Sequence, residues 1–249
     1  MLPHQFQPPA TSHHPPADKP LVGRVVALLE VLLCSDFPSQ LALGATFAAF
    51  GYGPLDPAGK LRIGYVVGLS LVDTLMLVGL VLLFLHAHGE RPRDVLLGRR
   101  PAAEAILGVP LALAALAIGI GVLLTIRLVA PSLHTVERNP LEALLGSPRD
   151  TWLFVLVAIV AGGVREEIQR AFLLHRFETW LGGAHVGVVL TSLAFGAGHL
   201  VQGADAAIAI GLLGMFWGVV YLRRRSAVAP MVSHAGFDLL QIAQAVGGR

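Results

Sequence analysis

The sequence GGVREEIQRAFLL, residues 162–174, places two adjacent acids and two arginines inside a run that is otherwise apolar enough for a lipid bilayer. A charged side chain at the centre of a membrane helix costs about 2.5–3.5 kcal/mol on insertion scales, and such residues usually mark a functional site. We therefore asked whether the rest of the chain is membrane-embedded, and whether it supplies partners for Glu166 and Glu167.

The composition is that of a membrane protein. Of the 249 residues, 55% are hydrophobic and 14% are charged, whereas soluble domains carry about 25% charged residues. The net charge is only +2 and no basic, aromatic-interleaved patch occurs, so nucleic acid is not an expected partner. The single Cys34 excludes an internal disulfide and a cysteine-based zinc site, and is expected to be a packing residue. We predict an all-α, polytopic transmembrane bundle.

Apolar stretches predict about seven to eight spans in a single domain, residues 21–249, preceded by a disordered Pro/His-rich tail at 1–20. Residues 21–53 form one kinked span, or an interfacial helix followed by a span, because Pro38 should kink or end a helix. Glu30 and Asp36 are interpreted as interhelical or interfacial anchors. The further predicted spans are 63–87, 103–130, 151–181, 184–203, 205–222 and 227–247.

Two arginine clusters orient the predicted bundle. They lie at 90–100 and 223–225, and four predicted spans separate them, so both can lie on the same side. Cytoplasmic loops are enriched in Lys and Arg. We therefore predict a multi-pass membrane protein with both clusters and the N-terminal tail in the cytoplasm. If the chain is bacterial, the membrane is the plasma membrane. Residues 131–150 are then an extracytoplasmic loop.

Three sets of polar residues in the C-terminal half could form one site. Residues four apart share a face of a helix, so Arg170 is expected to orient Glu166, while Glu167 points towards another helix. The other two sets also have this spacing, and small residues around all three would let the helices approach closely. These sets are Phe195 with His199, and His234 with Asp238.

The three sets, in this order and spacing, resemble the CAAX protease and bacteriocin-processing family of intramembrane proteases, which includes the type II CAAX prenyl endopeptidases. The resemblance covers about residues 150–245, which would be the catalytic core. One departure concerns the first motif. The family has three residues between the acid pair and its arginine; here two separate Glu167 from Arg170, and Ala171 occupies the expected arginine position.

The resemblance implies an endopeptidase that cleaves a membrane-associated or lipidated peptide or protein. Glu166 would be the general base on water, His199 would position that water, and His234 with Asp238 would stabilise the oxyanion or assist proton transfer. Glu167 and Arg170 complete the implied catalytic set, and Phe195 would pack or contact substrate. Zinc held by Glu166, His199 and His234 is an alternative, although the sequence has no H-E-x-x-H helix.

Two other functions remain open from the sequence. One is a non-enzymatic membrane scaffold or immunity protein; the other is a proton-coupled transporter, in which buried acids and histidines relay protons. If the chain is a protease, its site residues must lie at matching depths in the membrane. Residues 151–176 must form one continuous helix for Glu166 to reach the depth of His199 and His234, and the acids are then expected to face a cavity open to the cytoplasm.

Overall fold

The computed structural model describes residues 20–248, so the predicted tail lies outside the described residues except for Pro20. Nine α-helices account for most of that range, and no β-strand occurs within it. The predicted all-α class is thus confirmed. The helices are α1 Leu21–Leu33, α2 Phe37–Ala49, α3 Ile63–Ala87, α4 Pro101–Val129, α5 Pro148–Val157, α6 Glu166–Trp180, α7 Ala184–Gly198, α8 Ala204–Arg224 and α9 Val228–Gly247.

The long helices begin and end close to the predicted boundaries. Within residues 20–248, three helical segments are long and apolar enough to cross a membrane: Ile63–Ala87, Arg93–Val129 and Ala204–Arg224. The second combines a short π-helical turn, Arg93–Leu97, with α4. The chain is therefore an integral membrane protein, while the total of seven to eight spans stays a prediction.

The first apolar stretch differs from the prediction of a span within 21–53. Two 13-residue helices, α1 and α2, replace it. Each is only about 20 Å long, shorter than a hydrocarbon core of about 30 Å. Pro38 lies in the first turn of α2, where its missing N–H costs no hydrogen bond. The turn at Cys34–Asp36 divides the stretch, and Cys34 packs fully buried in the core as expected.

A buried ion cluster fixes α1 against α6. Arg176 is fully buried; its Nε donates to Glu30 at 2.5 Å, and its Nη1 donates to Glu90 at 2.7 Å. His88 and His175 contact the same two carboxylates, at 2.7 and 2.9 Å respectively. Burial raises the pKa of Glu90, but hydrogen bonds from His175 and Arg176 outweigh that effect and hold the pKa below its usual value. Glu30 is thus an interhelical anchor, as predicted.

One end of the bundle gathers the arginine-rich connections, and we refer to it as the arginine end. The amide of Ala227, between α8 and α9, donates to the carbonyl of Leu96 at 2.8 Å, which joins the two connections. Two ion pairs also lie here: Arg224 with Glu104 at 2.7 Å, and Arg225 with Glu178.

The opposite end, which we refer to as the loop end, is built around the α4–α5 connection. That connection lies against the beginning of α8. Its contacts are His134 Nδ1 with Asp205 Oδ2 at 2.8 Å, Asn139 Nδ2 donating to Gln202 Oε1 at 3.0 Å, and the amide of Ala204 donating to Thr135 Oγ1 at 3.0 Å.

The buried cluster and an exposed ion pair allow a matched stability test. Arg176→Gln leaves Glu30 and Glu90 without their shared cation, and removing one partner of a buried pair costs about 3–5 kcal/mol. Arg225→Gln breaks the more exposed pair with Glu178, where about 0–1 kcal/mol is expected. Thermal unfolding of both variants in detergent micelles should show a large loss for Arg176→Gln alone; equal losses would contradict the structural role of the cluster.

Candidate active site

The helix that carries the acid pair is continuous, as the depth of the predicted site requires. α5 passes into a π-helical segment, Ala158–Arg165, and this passes into α6 without a break. The π-helical segment ends directly before Glu166. π-Helical segments are rare, because they replace the regular α-helical hydrogen bonds, and they occur frequently at functional sites.

Two glycines of the π-helical segment let it lie directly against α9. A Cβ atom added to Gly162 would lie 2.6 Å from Oδ2 of Asp238, and one added to Gly163 would lie 2.6 Å from Cβ of Ala235. Any larger residue would force the helices apart. The close approach brings the acid pair alongside His234 and Asp238, as the small residues in the sequence predicted.

Glu167 is the buried member of the acid pair. It is 1% exposed, and its Oε1 lies 2.8 Å from Nδ1 of His234 and also forms an ion pair with Arg170. The expectation that Arg170 pairs with Glu166 is therefore wrong. Positions three apart share a helix face as well as positions four apart do, and Arg170 uses the shorter spacing because Glu167 is the acid directed into the bundle.

Glu166 is the acid beside open space. Its side chain is 15% exposed; Oε1 accepts a hydrogen bond from Arg165 Nη2 at 3.1 Å, and Oε2 lies 3.9 Å from Nε2 of His234. The second distance leaves a gap between carboxylate and imidazole that is too long for a direct hydrogen bond. A water molecule or substrate atom between them would contact both groups.

Arg165 holds a second buried charge network, which was not recognised in the sequence. It is 5% exposed and pairs with Asp36 of the α1–α2 turn, and its Nη1 donates to Oδ2 of Asp73 at 2.7 Å. Asp36 has a φ of 77°, a left-handed conformation that is unusual for a non-glycine residue. The signal in the sequence was Asp73, the single acid of its span, which required a buried cation as partner.

His234 is held by Glu167 and Trp217 and lies near Asp238. Glu167 accepts from Nδ1, and the Trp217 ring stacks on the imidazole with centroids 3.8 Å apart and planes inclined by 18°. Trp217 is itself fixed by a hydrogen bond from Nε1 to Ser233 Oγ, 3.0 Å long. Oδ2 of Asp238 lies 3.9 Å from the free Nε2 of His234. Glu167 therefore sets the orientation of His234, and Trp217 is a site residue that spacing did not reveal.

His199 ends the α7 helix beside the same space. Its Nδ1 lies 2.7 Å from the carbonyl oxygen of Phe195, which can only accept, so Nδ1 carries the proton and Nε2 is free. The Phe195 ring packs between charged and aromatic groups: its centroid lies 4.7 Å from Cζ of Arg170, 4.8 Å from the His199 ring and 6.1 Å from the His234 ring. Phe195 thereby joins the second motif to the first and third.

Two cavities meet at these residues. The lateral groove, about 450 Å³ in volume, lies between the α1–α2 region and helices α6 and α7, and its walls are mainly apolar. The end cavity, about 430 Å³ in volume, runs from Trp217 and His234 to the loop end. Both are lined by Glu166, Arg165, Phe195 and His199.

The position of the end cavity corrects one prediction. Its outer part is lined by Asn139, Leu141, Gln202 and Gln241, all at the loop end. We expected the cavity to open on the side of the arginine clusters, but the end cavity opens away from them. The reason is geometric: His199 lies just beyond the loop-end terminus of α7, and the end cavity continues from it past Gln202 and Asn139.

The zinc alternative requires Glu166, His199 and His234 to reach one ion. Between residues 20 and 248, no three His, Cys, Asp or Glu side chains are arranged to hold a metal ion. Nδ1 of His234 contacts Glu167 and Nδ1 of His199 contacts a carbonyl, which leaves Nε2 as the ring nitrogen that a metal would use. Within residues 20–248 these three side chains do not form a metal-binding group, and we assign no step to a metal.

The C-terminal half of the chain carries a family match. Residues 148–240 match the Rce1-like family model, type II CAAX prenyl endopeptidase. The match begins at the first residue of α5, ends in α9, and includes all three motifs, which confirms the resemblance seen in the sequence. No curated protein and no solved structure showed a significant match to the chain. The Rce1-like segment thus contains every predicted site residue, whereas Asp36 and Asp73, which pair with its Arg165, lie outside it.

The Arg165 network can be tested through its charge balance. Arg165→Met leaves the buried Asp73 carboxylate unpaired, and the expected loss is about 3–5 kcal/mol of stability. The double variant Arg165→Met with Asp73→Asn removes both charges and should recover part of that loss in thermal unfolding. A double variant that is no more stable than Arg165→Met would contradict the pairing.

Proposed function

We propose that this chain is an intramembrane endopeptidase that hydrolyses a peptide bond in a membrane-associated polypeptide, with Glu166 as the general base. The observation that carries the proposal is the placement of Glu166 between two cavities, beside His234 and in a space shared with His199. The match to the Rce1-like family model supports the same reaction class.

In the proposed reaction, water occupies the gap beside Glu166. Glu166 removes a proton from the water as its oxygen attacks the carbonyl carbon of the substrate, and Nε2 of His199 orients the water. The peptide carbonyl oxygen becomes an oxyanion. When the C–N bond breaks, the proton held by Glu166 passes to the departing amine, and the products are a carboxylate and an amine. A positioned acid–base group of this kind contributes about 10²–10⁴-fold to the rate.

His234 is proposed to stabilise the oxyanion. Because Glu167 binds Nδ1, the imidazole is fixed with Nε2 directed towards Glu166 and Asp238. A protonated Nε2 can donate to an oxyanion in a site of low dielectric, where preorganised donors are most effective. Asp238 is proposed to support the charge on that imidazole.

The lateral groove is proposed to hold the apolar part of the substrate. Leu173, Phe177 and Leu190 line it, and it reaches Glu166 and His199 directly. An apolar segment or a lipidated side chain in this groove would place an adjoining peptide bond next to the base. We do not favour a scaffold or a transporter, because the carboxylate of Glu166 borders substrate-sized space on two sides.

The reaction proposal predicts loss of cleavage in variants of three site residues. Glu166→Gln, His199→Ala and His234→Ala should each abolish hydrolysis of a membrane-anchored reporter peptide by the purified protein in proteoliposomes. Glu178→Gln is the matched control, since Glu178 lies on the same helix but pairs with Arg225 at the arginine end. Wild-type hydrolysis by Glu166→Gln would contradict the assignment of the base.

Arg170 is proposed as a positioning residue that acts through Glu167 and His234. Arg170→Ala removes the cation next to Glu167, so the charge balance around His234 changes. We expect a lower kcat with a smaller change in KM, together with a displaced pH profile of kcat. Arg170→Lys keeps the charge and should restore part of the activity. An unchanged pH profile in Arg170→Ala would indicate a purely structural role.

A further inference from the structure

The face on which the end cavity opens follows from two features of the structure that are independent of the catalytic residues. The first is the distribution of basic residues between the two ends. The second is the position of the cavity mouth relative to those ends.

The arginine end has the character of a cytoplasmic face. Short cytoplasmic connections carry an excess of Lys and Arg, and the excess sets orientation when it lies close to the ends of the spans. Two compact groups occupy this end: the α3–α4 connection with Arg91, Arg93, Arg99 and Arg100, and the α8–α9 connection with Arg223, Arg224 and Arg225.

The loop end has a weaker and more dispersed basic content. Its connections include α2–α3, residues 50–62, and α4–α5, residues 130–147, and they carry no run of adjacent basic residues. The basic residues on or beside them are Lys60, Arg62, Arg127, Arg138 and Arg149. The rule compares the Lys and Arg content of connections near the ends of the spans. The seven clustered arginines of the arginine end outnumber the five dispersed basic residues of the loop end, so the arginine end is the cytoplasmic one.

The end cavity opens on the other face. Asn139 and Leu141 of the α4–α5 connection form its outer wall, together with Gln202 after α7 and Gln241 in the last turns of α9. α9 begins at the arginine end and finishes at the loop end, so Gln241 lies farther from the arginines than His234 does. The amide side chains at this mouth suit a peptide backbone, which needs both donors and acceptors.

We infer that the site takes its substrate from the extracytoplasmic side. The substrate class is then a membrane-anchored polypeptide whose cleaved bond lies just outside the bilayer core on that face, with its polar part in the end cavity. Water for hydrolysis would enter by the same route. This inference rests on the proposed function for the identity of the substrate, but the side on which the cavity opens does not depend on catalysis.

Cysteine labelling tests the side directly, because the chain has one cysteine and it is fully buried. In a Cys34→Ala background, single cysteines replace three exposed residues: Gln241 at the cavity mouth, Ser132 elsewhere on the loop end, and Asp94 on the arginine end. Each is expressed in a bacterial host and treated, as spheroplasts, with a membrane-impermeant maleimide before or after permeabilisation.

The inference predicts full labelling of Gln241→Cys and Ser132→Cys in intact spheroplasts, and labelling of Asp94→Cys only after permeabilisation. The opposite pattern would overturn it. Labelling of Ser132→Cys but not Gln241→Cys in intact spheroplasts would also overturn it, because the cavity would then be closed to that side. None of these outcomes requires activity, so a protein that fails to cleave any peptide still reports its orientation.

A second measurement tests on which side of the membrane peptide hydrolysis takes place. A quenched fluorescent peptide library is supplied to spheroplasts and, separately, to inside-out vesicles, each with wild-type protein or Glu166→Gln. Cleavage that depends on Glu166 is expected in spheroplasts alone. Cleavage in vesicles alone overturns the extracytoplasmic route, whereas an absence of cleavage in both, with the predicted labelling, counts against the proposed function and leaves the orientation supported.

Discussion

The contact on which the site depends is the carboxylate of Glu167, held between Arg170 and His234 in a position that is almost fully buried. An unpaired carboxylate at this depth would cost several kcal/mol, so the helices that provide its partners must remain together. Arg170 comes from the same helix and compensates the charge locally. His234 comes from α9, and its bond to Glu167 fixes a ring nitrogen towards the space beside Glu166. Charge compensation and orientation of the imidazole are thus achieved by the same carboxylate.

Adjacent acids on one helix acquire different roles because successive side chains point about 100° apart at 3.6 residues per turn. Glu167 faces α9, and its carboxylate is paired with Arg170 and His234. Glu166 faces the cavities, and Arg165 is the group that lies within hydrogen-bond distance of it. Arg165 is in turn fixed by Asp36 and Asp73. Each acid therefore has its own arginine, and the pair does not compete for a single cation. This arrangement separates the residue that organises the site from the residue proposed to react.

Much of the helical framework could be predicted, because long apolar runs bounded by Pro, Gly and Arg determine α3, α4, α8 and α9 with little dependence on their neighbours. The same reasoning was less accurate for residues 21–53, where we expected one kinked span or an interfacial helix followed by a span, and the turn at Cys34–Asp36 produced two short helices. In the site, periodicity identified which residues share a helix but not how far each side chain rotates. Arg170 could therefore be placed on the correct helix and assigned to the wrong acid. Trp217 could not be predicted as a site residue, because an aromatic residue in an apolar helix does not differ from a packing residue until its neighbours are known.

The same limitation explains why the sequence indicated anchors in the short N-terminal helices, whereas their partners became known only from the structure. Asp36, placed by a left-handed turn between α1 and α2, reaches Arg165, and Glu30 on α1 reaches Arg176. Both arginines belong to the helical run that carries Glu166, one immediately before it and one ten positions beyond. The two N-terminal helices are too short to cross the bilayer alone, so they derive their position from these ion pairs. They also form one wall of the lateral groove. The shape of the groove next to Glu166 therefore depends on ion pairs whose N-terminal members, Asp36 and Glu30, lie outside the segment that matches the family model. Substitutions at Asp36 or Glu30 would alter the groove without changing any of the three motifs.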